Sequence, residues 1–279
     1  DAGYQILKQG GNAIDAAVAV GFALAVTLPR AGNIGGGGFM LIYSADSQEV
    51  SAIDYRSAAP VTATSEMYLT ESGVVRFGHL VNAVPGSVAG LIKAHKEHGK
   101  LSLKEVLRPA IELARKGFPV SYDLNYVLDW GKNSMLANNA SKKKFYNPKD
   151  KPLPVASILK QPKLARTLKI IANKGDQAFY EGEIADWIVE DSLANGGLIT
   201  KGDLANYSAK DRVPIESFYR GYKIVSMPPA ASGGIVLLQI LNILENFDLT
   251  KSGHNSASSI HLLSEAMLRA YSDRMKYHG

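Results

Sequence analysis

The chain has 279 residues, 46% hydrophobic and 20% charged, which is the make-up of a globular chain and not of a disordered one. Its 31 basic residues outnumber 26 acidic ones, giving a formal charge of +5 that is spread along the chain. There is no cysteine, so disulfide scaffolds, cysteine-rich zinc sites and thiol nucleophiles are excluded. The one basic cluster, SKKKFYNPKDK from Ser141 to Lys151, has no RNA- or DNA-binding motif beside it. It reads as a solvated loop, and no nucleic-acid partner is expected. The longest apolar run, Ala16 to Pro29, is interrupted by Gly21 and Thr27 and is too short to span a bilayer, so it reads as a buried helix.

In chain order, NAIDAAVAVGFALAVTLP (Asn12 to Pro29) predicts a helix apolar almost all round, with Asn12 as N-cap and Pro29 as stop. After four consecutive glycines, FMLIYSADSQEVSAIDYRS predicts two strands joined by a polar turn around Asp46 to Gln48. Helical spacing returns in Pro85 to Gly99, with Gly99 at the C-terminal cap. It returns again in Ser102 to Gly117, where Ser102 and Glu105 have capping-box spacing and Pro109 suggests a kink or break. Residues Tyr122 to Pro162 are polar and proline-containing and read as an irregular surface excursion. Helices are expected over Pro162 to Lys174 and Gly182 to Asn195, a strand over Gly221 to Pro229, and helices over Ser232 to Phe247 and Ser258 to Tyr277. Helices flanking strands apolar enough to be buried indicate a layered α/β or α+β architecture.

Four glycines in a row, Gly35 to Gly38, carry a large backbone entropy cost and need a reason. Phosphate loops run strand, glycine turn, helix. Here the order is helix, glycines, strand, and the Walker lysine followed by Ser or Thr is missing. Two readings stay open: a tight turn of no functional interest, or close approach of backbone to a catalytic centre. Arg56, in AIDYRSAAP, sits where a strand gives way to a proline-limited turn. It pairs with Asp54 or faces solvent, or else its planar fork grips a substrate carboxylate.

The histidines offer no metal site: His95 and His98 lack zincin spacing and a third ligand, and read as surface residues near a helix end. His261 and Glu265 read as an i,i+4 helix-surface pair. Ser232, in PPAASGG, does not fit the nucleophile elbow, because Ala230 stands where its first glycine belongs; it reads as a helix N-cap followed by two glycines that allow close packing. From the residues alone, no complete catalytic set is present in the chain.

Six stretches, in order, resemble the γ-glutamyltranspeptidase family: GGNAIDAAVAVGFALAVTLPRAGNIGGGGFMLIY, AIDYRSAAP, AVPGSVAGL, NGGLITKGDLANY, YRGYKIVSMPPAASGG and LQILNILENFD. The resemblance runs from about Gly10 to Arg274 and matches the family's large subunit. It implies an α+β fold of the N-terminal nucleophile hydrolase type, a four-layer αββα sandwich present here only in part. It also implies a single-domain segment, residues 1–279, shortened at both ends. Such enzymes cut themselves into two subunits, and the small subunit's N-terminal threonine is the nucleophile. No pair of threonines occurs in this chain, so the resemblance places no catalytic residue in it and implies that the chain alone is inactive.

The implied substrates are γ-glutamyl amides such as glutathione, with an amino acid or water as acceptor, and the implied partner is a small subunit from the same precursor. No cofactor or metal is implied, and the expected compartment is periplasmic or extracellular. Arg56 matches the arginine that binds the α-carboxylate of the γ-glutamyl group. The alternatives carried alongside are a related acylase or poly-γ-glutamate depolymerase, and a non-catalytic remnant or partner-binding fragment. In MPPAASGG, Ala230 and Ala231 stand where the commoner family form has proline and serine.

Overall fold

A computed structural model describes residues 1–70 and 73–277. The chain begins with α1 (Ala2–Lys8), α2 (Ala13–Thr27), β1 (Phe39–Tyr43) and β2 (Val50–Asp54), then the short strands β3 (Leu69–Thr70) and β4 (Gly73–Val74). Next come α3 (Ser87–His98), α4 (Leu103–Lys116), β5 (Phe118–Pro119), α5 (Tyr122–Trp130), α6 (Lys132–Leu136), α7 (Asn139–Phe145) and β6 (Ile158–Leu159). After these lie α8 (Pro162–Lys174), α9 (Gln177–Tyr180), α10 (Glu183–Ala194) and α11 (Lys201–Ala205). The last elements are β7 (Lys210–Arg212), β8 (Ile215–Tyr219), β9 (Tyr222–Ser226), α12 (Ser232–Leu244), α13 (Leu249–Ser252) and α14 (Ala257–Tyr277). They group into two compact units, Asp1–Gly38 with Tyr55–Ala209, and Phe39–Asp54 with Lys210–Gly279.

The first unit is built around α2, which packs on α1, α3 and α4, while α4 packs in turn on α8. Phe22, Ile92, Leu107, Leu168 and Ile171 are fully buried there. The start of α2 is set by Asn12, whose side chain accepts from the Ile14 and Asp15 amides, while Asp15 reaches back to the Asn12 amide at 3.0 Å. Asp15 is fully buried, and it also accepts from the Lys100 amide at 3.0 Å and the Leu101 amide at 3.2 Å. One buried carboxylate thus caps a helix and fastens the turn between α3 and α4 to it, satisfying backbone donors that lie outside the regular helix bonds. His95 lies in the same spot, its side chain 11% exposed and its Nε2 2.8 Å from the Leu101 carbonyl oxygen. It is therefore a packed residue and not the surface histidine expected, because the α3–α4 turn folds back over it.

Ser102 and Glu105 form the expected capping box of α4. Pro109 is buried inside α4 and does not break it. The segment read as irregular, Tyr122 to Pro162, instead holds α5, α6, α7 and β6. Ser121 and Asn138 cap α5 and α7, the buried Leu124 and Leu128 anchor α5, and the Tyr146 hydroxyl donates to the Leu128 carbonyl at 2.6 Å. Helices of 9, 5 and 7 residues are too short to display a periodic apolar stripe, which is why the sequence hid them. The basic cluster lies partly on α7, where Lys142 pairs with Asp150 at 2.9 Å.

In the second unit, β1 and β2 form the expected hairpin, with Phe39 opposite Asp54 and Tyr43 opposite Val50, and β7 adds antiparallel to β2. The second hairpin, β8–β9, turns through Arg220 and Gly221, both at positive φ as a tight two-residue turn requires. The helix α12 packs on α14 and against both strands of that hairpin. A Cβ on Gly234 would overlap the Met227 carbonyl oxygen, so close packing needs this glycine, whereas Gly233 faces open space. Ser232 is the first residue of α12 and not its N-cap, which is Ala231; its hydroxyl instead accepts from Arg274 Nε at 2.8 Å.

Replacing Asp15 with alanine removes the buried acceptor shared by the amides of Asn12, Lys100 and Leu101 and is expected to cost about 3 kcal/mol. Denaturant unfolding of the two proteins checks this; a loss below about 1 kcal/mol would contradict it.

Candidate functional site

Arg56 lies in the first unit, on the stretch between two backbone pairings. On one side, Tyr55 donates its amide to the Gly38 carbonyl at 3.0 Å, and Gly38 donates back at 3.2 Å. On the other, Ala58 and Val84 exchange amide-to-carbonyl bonds at 3.1 and 2.8 Å. The Arg56 carbonyl accepts from the Tyr207 hydroxyl at 2.8 Å, and its side chain is exposed. In the second unit, the buried Asp54 carboxylate takes the Nε and Nη2 groups of Arg212 at 3.0 and 2.9 Å. Register explains this, since Arg212 is the diagonal cross-strand neighbour of Asp54 on the same sheet face.

The glycine run packs against this stretch. A Cβ on Gly37 would lie 2.5 Å from the Ser57 nitrogen, 2.7 Å from the Tyr55 carbonyl oxygen and 3.0 Å from the Arg56 carbonyl carbon. None of Gly35 to Gly38 has a positive φ; Gly37 is needed for the closeness of two backbones and Gly38 for the closeness of the Tyr55 ring, not for an unusual conformation. The carbonyl of Gly36 accepts from the amides of Gly86 and Ser87, at 2.7 and 3.0 Å, where α3 begins. Those helix-end donors are thereby taken by backbone, and no phosphate is needed to satisfy them. The structure places Gly37 in close approach to the backbone of Tyr55, Arg56 and Ser57.

Two tyrosines and two more glycines complete the mount. Tyr207 stacks on Tyr180 with ring centroids 5.6 Å apart and planes 11° from parallel. The buried Tyr180 hydroxyl donates to the Pro85 carbonyl at 2.8 Å and accepts from the Ala89 amide at 3.2 Å. Burial pushes the Tyr180 phenol far above its ordinary pKa and raises that of Tyr55 as well, so both remain neutral. A Cβ on Gly86 would overlap the Tyr55 carbonyl and the Tyr207 hydroxyl, and one on Gly90 would overlap the Tyr55 ring.

Tyr207 follows α11, whose start is a capping box of Thr200 and Asp203. The same Asp203 carboxylate accepts from the Val61 amide at 2.8 Å. One short segment, Thr200 to Tyr207, therefore holds the Arg56 stretch at both ends, by hydroxyl at Arg56 and by carboxylate at Val61. Burial pushes the Asp203 carboxyl upward, but hydrogen bonds from the Thr200 hydroxyl and the Val61 and Thr200 amides outweigh it, and the pKa falls below the ordinary value.

On the Ser57 side lies a cleft of about 630 Å³ whose walls include Gly35, Ser57, Phe179, Trp187 and Ile188. Sequence reasoning reached Arg56 and the glycines but not Tyr180, Tyr207 or Asp203. The Thr200–Asp203 spacing announces a helix start; nothing in the sequence says which backbone groups those side chains meet. Among the described residues, no group of His, Asp and Glu is placed to hold a metal ion, and no helix is long and apolar enough to cross a membrane.

The architecture is that of the N-terminal nucleophile hydrolases, in part, as its match to a solved enzyme shows. The γ-glutamyltranspeptidase of Helicobacter pylori superimposes with a TM-score of 0.95 at 44% identity, over 100% of this chain and 81% of that one. The family model for gamma-glutamyltranspeptidase matches residues 1–279, and the chain belongs to that family. It is 47% identical to the glutathione hydrolase proenzyme of Escherichia coli over 99% of its length and 48% of that protein's. It is 43% identical to the acylase ACY 1 proenzyme of a Pseudomonas strain, over 98% of its length and 50% of that protein's. The chain thus spans about half the length of the curated relatives it matches.

A carboxylate whose pKa is lowered on folding stabilises the fold fully above its unfolded pKa, near 4, and loses that contribution as pH falls through the folded value. Asp203→Asn is therefore expected to cost about 1–2 kcal/mol at pH 7. Melts repeated at falling pH should show the gap between the two proteins closing below about pH 4. A gap independent of pH would contradict the assignment.

Proposed function

We propose that this chain is the large-subunit portion of a γ-glutamyltransferase and glutathione hydrolase, and that Arg56 binds the α-carboxylate of the γ-glutamyl group. The observation that carries this reading is the Arg56 mount itself: an exposed guanidinium on a stretch whose backbone is fixed by Gly37, the Gly38 pairing and Tyr207. Binding energy spent on holding a substrate in one orientation is productive only when the anchoring group is itself held. The Escherichia coli relative's name, a glutathione hydrolase proenzyme, supports the substrate class.

In the proposed reaction the nucleophile is a threonine hydroxyl supplied by the partner small subunit, from the same precursor, with its own terminal amine taking the proton. The hydroxyl oxygen attacks the γ-carbonyl carbon, the C–N bond breaks, and the amine leaves with a proton. The resulting ester is then opened by water or by an amino-acid amine. The present chain supplies no group to that bond-making and bond-breaking; its part is orientation through the α-carboxylate. The active unit is proposed to be exported, to the periplasm or the outside, and to need no cofactor.

The acylase relative, at nearly the same identity as the glutathione hydrolase, supports a second reading: an acyl amide without an α-carboxylate. The two readings differ at Arg56. A charge-assisted pair of this kind contributes about 1.5–3 kcal/mol, or roughly ten- to a hundredfold in affinity.

The test measures release of an anilide from γ-glutamyl and from 4-aminobutanoyl donors, the second lacking only the α-carboxylate. The chain is produced together with the sequence that follows it in its gene. Arg56→Ala should raise KM for the γ-glutamyl donor about ten- to a hundredfold and leave the other donor within about twofold. The chain produced alone should be silent. Equal losses on both donors would overturn the assignment of Arg56, and an unaltered enzyme that prefers the donor without the carboxylate would favour the acylase reading.

A further inference from the structure

We propose that Tyr207 is a positioning residue for Arg56, aiming its guanidinium through a hydrogen bond to the Arg56 main chain; this rests on the reading of Arg56 above. Arg56 and Ser57 lie between the Tyr55–Gly38 and Ala58–Val84 pairings and outside both of them. The backbone angles of those two residues set the direction in which the long arginine arm leaves the chain. The Tyr207 hydroxyl, 2.8 Å from the Arg56 carbonyl oxygen, fixes the peptide plane on the C-terminal side of Arg56. Gly37 closes the other side, with room there for a hydrogen and not for a methyl group.

Tyr207 can do this because it is itself held in three ways. Its ring lies flat on Tyr180, and Tyr180 is anchored by its hydroxyl to Pro85 and Ala89. Its backbone amide donates to the Leu204 carbonyl at 3.1 Å, ending a helix that the Thr200–Asp203 box begins. Its hydroxyl meets the bare edge of Gly86, where any side chain would displace it. Ordering a stacked, half-buried tyrosine costs side-chain entropy, and here its hydroxyl is directed at the carbonyl of Arg56. A misplacement of about 1 Å at an anchoring group is enough to lower a rate or an affinity severely.

The alternative is that Tyr207 merely stabilises the fold. The two are separated by Tyr207→Phe, which keeps the stacked ring and removes only the hydroxyl. It is measured in the chain joined to its downstream sequence, with the γ-glutamyl and 4-aminobutanoyl anilides. Positioning predicts that KM for the γ-glutamyl donor rises about three- to tenfold with kcat within twofold, that the other donor is unchanged, and that the effect vanishes when Arg56 is already alanine. A loss shared by both donors, or one that persists undiminished beside Arg56→Ala, would overturn the proposal. If Arg56→Ala itself fails to discriminate the donors, the reading of Arg56 falls first and this inference with it. Tyr207→His, which keeps a planar ring and an N–H donor, is held to the same split should the phenylalanine variant not fold.

Discussion

Everything distinctive about the first unit depends on fastening one irregular stretch of backbone, from Tyr55 to Val61, to three other parts of the chain. Irregular backbone cannot satisfy its own polar groups, so each amide and carbonyl needs a partner from elsewhere. Gly38 and Val84 pair with its regular ends, Tyr207 and Asp203 reach it with side chains, and Gly37 lies against it edge to edge. Each partner is in turn fixed: Asp203 by its helix cap, Tyr207 by Tyr180, and the glycine run by the start of α3. The result is a stretch of backbone tied at several points that carries the exposed Arg56.

Why glycine recurs at these places follows from the same constraint. Gly37, Gly86 and Gly90 each sit where the backbone or ring of Tyr55, or the Tyr207 hydroxyl, occupies the space of a side chain. Their conformations are ones other residues adopt; their lack of a Cβ is what matters. Gly37 and Gly38 thus serve packing, and their cost in backbone entropy is offset by bringing two stretches of chain into contact without an intervening layer of side chains.

Much of the fold was legible because it is written in local signals. Asn12, Ser102 and Pro29 mark helix ends, and FMLIY and VSAID flank a polar turn. What stayed hidden depends on distance along the chain. The α5–α7 region lacks a period because its helices are short, and Ser232 faces Arg274 across 42 positions where a local rule made it a cap. The place of His95 on α3 says nothing of the turn at Lys100 and Leu101, where its Nε2 meets the Leu101 carbonyl. The same holds at the site: Arg56 and the glycines could be singled out, while the bond from Tyr207 spans 151 positions and no spacing rule reaches that far. The resemblance to γ-glutamyltranspeptidases implied the carboxylate role for Arg56, which elementary chemistry ranked below an ordinary surface arginine.

The central claim is that Arg56, on its clamped backbone, receives an α-carboxylate. Diffraction from crystals of the chain joined to its downstream sequence, grown with L-glutamate, tests that claim most directly. The account predicts the α-carboxylate of glutamate within hydrogen-bond reach of the Arg56 guanidinium, about 3 Å, with the Tyr207 hydroxyl still on the Arg56 carbonyl. Glutamate bound with its α-carboxylate on other donors, and Arg56 turned away from it, would contradict the account.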